Sequence, residues 1–211
     1  MSSSPLFKSI GPLSTKALLD CFKPEIRRFS KGDTILVYSN SLEHLCVLTK
    51  GSAHLYSMDS DGEYSFLEYY AQGDVFGELF STPGTDSGLA VQADSRCEVM
   101  FIRFSCVYRR CTRACQHHSQ LLLNLFELTS QHSRRLSGRL GVLSHKTLRK
   151  KLLAYFDLCR AEKGEHSFDL ELSYTRLADY ICADRSSMMR ELRHMEDEGL
   201  IKRQGKHISL L

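Results

Sequence analysis

Residues 184–192 read Asp184-Arg185-Ser186-Ser187-Met188-Met189-Arg190-Glu191-Leu192, between Leu177-Ala178-Asp179-Tyr180-Ile181 and Glu196-Asp197-Glu198-Gly199-Leu200-Ile201. Ser173 is placed to cap a short helix that holds Leu177, Ala178 and Ile181. Cys182-Ala183-Asp184 makes a tight turn, and Asp184 caps a second helix from Arg185 to Glu198. Met188, Leu192 and Met195 recur at helical steps and share one apolar face. A helix, a three-residue turn and a helix make a helix-turn-helix. After Gly199, the runs Leu200 to Arg203 and Lys206 to Leu210 flank Gln204-Gly205, which predicts a β-hairpin wing.

With that apolar face inward, the outward face carries Arg185, Ser186, Met189, Arg190 and Arg193. Arginine donates two hydrogen bonds to guanine in the major groove, and its charge suits phosphates. Ser187 and Arg193 suit phosphate contacts, and Ser173 and Tyr174 complete the candidate DNA-binding set. In the competing reading these arginines are solvated charges paired with Glu191, Glu196 and Asp197. Charge distribution favours a polyanionic partner: residues 134–211 hold 16 Lys+Arg and 11 Asp+Glu, a balance of +5, against −2 for the rest.

Further upstream, glycines punctuate the chain. Lys31-Gly32-Asp33, Lys50-Gly51-Ser52, Asp61-Gly62-Glu63 and Gln72-Gly73-Asp74 each read as a turn. The runs between them, 34–38, 44–48, 53–57 and 64–69, are β-prone, and two more strands follow near 89–93 and 97–103. The even spacing of Gly51, Gly62 and Gly73 predicts a strand-turn-strand meander in a small antiparallel barrel or roll. The expected fold class is therefore α+β: an N-terminal antiparallel β-roll over 1–115, a long dimerisation helix over 116–143, and a winged helix-turn-helix over 144–211.

In the middle segment, Leu121, Leu125, Leu128, His132, Leu136, Leu140 and Leu143 recur at steps of three and four. This stripe fits intramolecular core, but a long helix between two domains leaves much of it bare in a monomer. A coiled-coil-like seam in a homodimer covers it. Gly138 and Gly141 bracket a candidate hinge. A further helix, Thr147 to Glu162, has an apolar face of Leu148, Leu152, Tyr155, Phe156 and Cys159 and a basic face of Arg149, Lys150 and Lys151. It ends at Lys163-Gly164, and a short hairpin is expected over Ser167 to Leu172.

Composition bounds the function classes. The chain has 211 residues, 42% hydrophobic and 25% charged, which is ordinary for a globular protein with its own core. Met1 to Ile10 lacks a signal-peptide apolar run, and no stretch approaches the ~18 apolar residues of a membrane span. A cytoplasmic protein without membrane contact is expected. The eight cysteines are scattered with no C-x-x-C pair, which reads as reduced thiols.

The helix-turn-helix residues quoted above resemble the DNA-binding domain of the CRP/FNR family. Gly73-Asp74-Val75-Phe76-Gly77-Glu78-Leu79, with the glycine-punctuated strands, is similar to that family's cyclic-nucleotide-type β-roll. The resemblance covers nearly the whole chain in the family's order. It implies a homodimer on a pseudo-palindromic double-stranded DNA site, one recognition helix per half-site, and contact with RNA polymerase. It also implies that Arg185 and Arg190 face bases. Ser186 stands where many members have a glutamate that pairs with cytosine, so the usual half-site is not expected. Cys182 replaces a frequent turn glycine, where a left-handed conformation costs roughly 1 kcal/mol.

For the sensor, the resemblance implies an effector pocket at Phe76, Gly77, Glu78, Leu79, Ser87 and Gly88. The Arg-Ser or Arg-Thr pair that clamps a cyclic phosphate falls on Ser87-Gly88 here, so the cation is missing. Burying an unpaired phosphate is costly. A small-molecule effector other than cAMP or cGMP is expected, with constitutive DNA binding as the alternative. Cys106, Cys111 and Cys115, near Arg109, Arg110 and Arg113, form a possible redox or iron–sulfur site, although their spacing does not match the cysteine cluster of oxygen-sensing members. Semi-buried thiols of no redox role are the plainer reading, and no cofactor is required by the sequence. His132 and the His117-His118 pair fit a haem or metal ligand less well than a polar interface position. A cupin-like metalloenzyme needs a His-x-His cluster that is missing, since His44 and His54 are ten apart. A non-enzyme is expected.

Overall fold

Alternation along the strands shapes the N-terminal part. The computed structural model describes residues 4–38, 43–59, 61–62, 64–77, 88–108 and 116–211. A 3-10 turn, Pro5–Phe7, and helix α1, Pro12–Phe22, precede eight strands: β1 Glu25–Phe29, β2 Thr34–Val37, β3 His44–Lys50, β4 Ala53–Met58, β5 Tyr64–Tyr70, β6 Val75–Gly77, β7 Leu89–Ala93 and β8 Cys97–Arg103. They form two antiparallel sheets with orders β1-β8-β3-β6 and β2-β7-β4-β5. Cys46, Leu48, Val99 and Phe101 face the second sheet and meet Ala53, Tyr70, Val91 and Ala93. Their alternate neighbours Leu45, Val47, Met100 and Ile102 face Leu6, Leu18, Phe22, Leu121 and Leu125. β3 and β8 of the first sheet are thus buried on both faces, which explains why β3 is a nearly continuous apolar run.

The predicted turn glycines, Gly32, Gly51, Gly62 and Gly73, all have positive φ. The meander is corrected in one respect: β4 and β5 do pair as a hairpin, but β3 and β4 lie in different sheets, as do β5 and β6. Gly51 and Gly73 therefore mark corners where the chain crosses between sheets. At Gly51 a Cβ would overlap the Arg96 carbonyl and the Cys97 sulfur, so only glycine fits the corner.

Helix α2, Phe104–Tyr108, leads to α3, Gln116–Leu143, which runs through Gly138 and Gly141 without a break; the expected hinge is absent. Gly138 instead allows close approach of Leu158. Then come α4 Leu148–Lys163, β9 Ser167–Asp169, α5 Tyr174–Tyr180, α6 Arg185–Asp197, β10 Ile201–Gln204 and β11 His207–Leu210. The hairpin expected over 167–172 is a single strand, β9, which pairs with β11 to give a three-stranded sheet of order β10-β11-β9. The chain divides into two compact units, Met1–His132 and Ser133–Leu211. In the second, Leu152, Phe156, Leu177, Ile181, Met188, Leu192, Met195 and Ile208 are fully buried in one core. Each such side chain contributes about 1.5–3 kcal/mol of burial.

Candidate nucleic-acid interface and effector pocket

Local capping builds the helix-turn-helix as the sequence predicts. The Ser173 hydroxyl accepts from the Arg176 N–H and starts α5. At its end the Ala183 N–H reaches the Ala178 carbonyl and the Cys182 N–H reaches that of Asp179. This double closure needs a left-handed residue, and Cys182 supplies it with φ of 51°. The Asp184 carboxylate then accepts from the Ser187 N–H at 2.9 Å and from the Ser186 hydroxyl at 2.6 Å. With these bonds its pKa is drawn down to about 2.

Met188, Leu192 and Met195 are buried, so Arg185, Ser186, Arg190 and Arg193 stand exposed on the opposite side of α6. The glutamates named in the competing ion-pair reading are held by arginines of other elements. Arg149 of α4 reaches Glu191 at 2.6 Å and forks onto both Glu198 oxygens at 2.7 and 2.8 Å. Arg203 of the wing holds Glu196 through both its guanidinium and its backbone N–H. Among the described residues, no carboxylate lies within ion-pair distance of Arg185, Arg190 or Arg193. The Ser187 hydroxyl accepts from the Arg190 guanidinium at 3.1 Å.

Other candidates are placed differently. Met189 is half-buried and packs on the core. The Tyr174 hydroxyl donates to the Gly205 carbonyl at 2.6 Å and so fixes the wing turn. The basic face expected on α4 is largely spent inside the unit, since Lys151 caps the Ile181 carbonyl at 3.0 Å and Arg149 is the strut just described. Sequence reading missed Arg149 and Arg203 as organisers, because their partners lie on other elements.

The long helix also divides its residues. Leu121 and Leu125 are buried in the roll's own core and Leu128 packs beside them, so these three do not form a seam. Asn124 ties the same face down by donating to the Leu6 and Lys8 carbonyls at 2.8 and 2.7 Å. Leu122, Phe126, Leu136 and Leu140 are exposed, Phe126 by 74%. With Thr129 and Ser133 they recur at steps of four and three, one position past the expected stripe up to Ser133 and on it at Leu136 and Leu140.

In the roll, Phe76 is buried and stacks on Tyr70 with ring centroids 4.9 Å apart. The Gly77 N–H donates to the Tyr38 hydroxyl at 3.3 Å, and Tyr38 is hydrogen-bonded to Tyr70. Tyr70 in turn donates to Glu68 at 3.1 Å, and the other Glu68 oxygen lies 3.1 Å from His132 Nδ1 on α3. Burial pushes the Tyr38 hydroxyl up to about 12 and Tyr70 well above its ordinary range. Gly88 is described with φ of 60°, whereas Glu78, Leu79 and Ser87 lie outside the described residues. Cys111 and Cys115 lie outside them too; Cys106 is half-buried in the roll's helical core. Burial raises the pKa of Cys46 and of Cys159, which makes both poor thiolates. His118 is buried edge-on against Phe22.

A capped helix-turn-helix with an open arginine face, a braced wing and a double-sheet roll define a DNA-binding regulator with an effector-type domain. Residues 26–113 match the cyclic nucleotide-binding domain family and residues 150–211 match the Crp-like helix-turn-helix domain family. Relatives include a probable transcriptional regulator, flp, of Lacticaseibacillus casei, 26% identical over 98% of this chain and 91% of its own. The cAMP-activated global transcriptional regulator Vfr of Pseudomonas aeruginosa is also 26% identical, over 90% of each chain. A CooA mutant from Carboxydothermus hydrogenoformans shares the fold with a TM-score of 0.72 at 13% identity, covering 100% of this chain and 92% of the other. The chain belongs to the CRP/FNR family of DNA-binding transcription regulators. These relatives are regulators rather than enzymes, and among the described residues no helix is long and apolar enough to cross a membrane.

Proposed function

We propose that this chain acts in the cytoplasm as a homodimer on an inverted-repeat DNA site, with α6 of each copy in the major groove of one half-site. Arg185 and Arg190 read bases; Ser187 and Arg193 meet phosphates; Ser173 and Tyr174 act by shaping α5 and the wing beside the DNA. The observation that carries this reading is the set of exposed arginines on α6, with no carboxylate within ion-pair distance among the described residues, while Arg149 and Arg203 hold Glu191, Glu196 and Glu198. The working parts are a roll over 1–115, a dimer helix over 116–143 and a DNA-binding domain over 144–211. Exposed Leu122, Phe126, Leu136 and Leu140 supply the seam, and RNA polymerase is the partner on the regulator's surface. The effector sits at the Phe76–Gly88 side of the roll and is not a cyclic nucleotide. Ser87-Gly88 supplies no cation for the phosphate, and burying a phosphate without one is costly.

Selection of bound duplexes from a random pool, under reducing and anoxic conditions, tests the reading. An enriched inverted repeat with half-sites about one helical turn apart is expected. Recovery of no sequence, with only salt-sensitive general binding, would refute it. Leu136→Glu with Leu140→Glu is expected to leave a folded monomer in sedimentation. Calorimetric titration with cAMP is expected to show no binding, and micromolar affinity would overturn the effector assignment.

A further inference from the structure

We propose that Ser186 is a specificity-determining residue that selects a base bearing an exocyclic amino group, cytosine or adenine, and rejects guanine and thymine on the strand it contacts. The inference rests on α6 being the recognition helix. Ser186 is exposed at the second position of α6, between Arg185 and the Arg190 face. Its oxygen lies 2.6 Å from an Asp184 oxygen, a length typical of a hydroxyl donating to a carboxylate.

The direction of that bond is fixed by chemistry. An ionised carboxylate only accepts, so the serine must donate. Asp184 stays ionised because Ser186 and the Ser187 N–H both donate to it, which holds its carboxyl far below the usual carboxylate range. A free serine hydroxyl rotates to serve as donor or acceptor and so tells little apart. Here the single proton is committed inward, and only oxygen lone pairs face outward.

In the major groove, cytosine and adenine present amino hydrogens, while guanine and thymine present acceptor oxygens. A one-way acceptor meets the first pair with a hydrogen bond and the second with lone pair against lone pair. The serine oxygen forms one bond and stays close to the helix axis, so it distinguishes amino from keto bases rather than cytosine from all others. Asp184 is the positioning residue, since it converts a two-way hydroxyl into an acceptor.

Competition binding on a selected duplex, varied base by base, tests this. Wild type is expected to prefer amino over keto bases at one half-site position by roughly fivefold to tenfold, the range of one hydrogen bond. Ser186→Ala should erase that preference while leaving those set by Arg185 and Arg190. Asp184→Ser keeps a side-chain cap for α6 but removes the carboxylate. It should relax the same preference at least threefold with Ser186 still present, and a far-ultraviolet melt confirms that the domain is folded. Asp184→Asn, whose carbonyl still accepts from Ser186, should retain the preference and serves as the second variant. A keto preference at the Ser186-dependent position, or a preference untouched by Ser186→Ala or by Asp184→Ser, would overturn the assignment while the DNA-reading role stood. If wild type selects no sequence at all, the recognition-helix reading falls and this inference falls with it.

Discussion

In the unit Ser133–Leu211 carboxylates are turned into struts and arginines are left facing out, whereas in the unit Met1–His132 a carboxylate and two phenols are drawn inward. Glu191, Glu196 and Glu198 are each held by an arginine from another element. Glu68, Tyr70 and Tyr38 form a largely buried series that runs from the Gly77 N–H to His132. The difference teaches how two roles are written in side chains. A surface that meets a polyanion needs cations free of acidic partners, so the acids on the same helix must be occupied elsewhere. The interior of a packed roll instead needs its polar groups satisfied by one another, because an unpaired one there is costly.

Variants that strip one unit and spare the other test that division. The largest effect is expected from Arg185→Ala with Arg190→Ala. Loss of two base-reading side chains should weaken binding to the selected duplex roughly a hundredfold or more in gel-shift titration. The melting temperature should stay within a few degrees, because neither arginine braces the fold. A large fall in melting temperature would mean that the open face has a structural role and would break the comparison.

In the roll, Tyr70→Phe should do the reverse. It removes the bond to Glu68 and the link to Tyr38 and is expected to cost about 1 kcal/mol in urea unfolding. Intrinsic DNA contacts are untouched, so salt dependence of binding should keep its slope. A smaller gain of stability is expected at the turn of the helix-turn-helix. Cys182→Gly removes a left-handed side-chain penalty of about 1 kcal/mol, offset in part by glycine's entropy in the unfolded chain. Thermal melts should rise slightly and the selected site should not change.

The smallest effect is a pH window. The carboxyl of Asp184 is lowered from 3.8 to about 2 in the folded chain, so its contribution is complete above pH 3.8. That contribution is lost as pH falls from there through about 2. Acid unfolding of Asp184→Ser should lack this component, and an unchanged acid transition would show that the cap adds nothing to stability.

Legibility in the sequence tracks the range of the interactions. Ser173, Asp184, Gly164 and Gly205 act on residues within five positions, and each cap or turn was readable. Strands that are apolar runs bounded by turn signals, such as Leu89–Ala93 and Cys97–Arg103, were placed to the residue. Strand β1, Glu25–Phe29, was missed because it is a charged, mostly exposed edge whose partner β8 lies some seventy positions on. The stripe on α3 was misassigned at Leu121 and Leu125, since periodicity gives a face but not what covers it. The acceptor character of Ser186 was hidden for a related reason: residue type allows both directions, and only the short bond to Asp184 chooses one.

The struts from Arg149 and Arg203 have a consequence in time as well as in space. α4, α6 and the wing are joined before any DNA arrives, so little conformational search remains at the encounter. Association should then run near the rate set by electrostatic steering and differ little between correct and incorrect sequences. Discrimination would appear in how long the regulator stays: brief visits on most of the chromosome and a long residence on its own site.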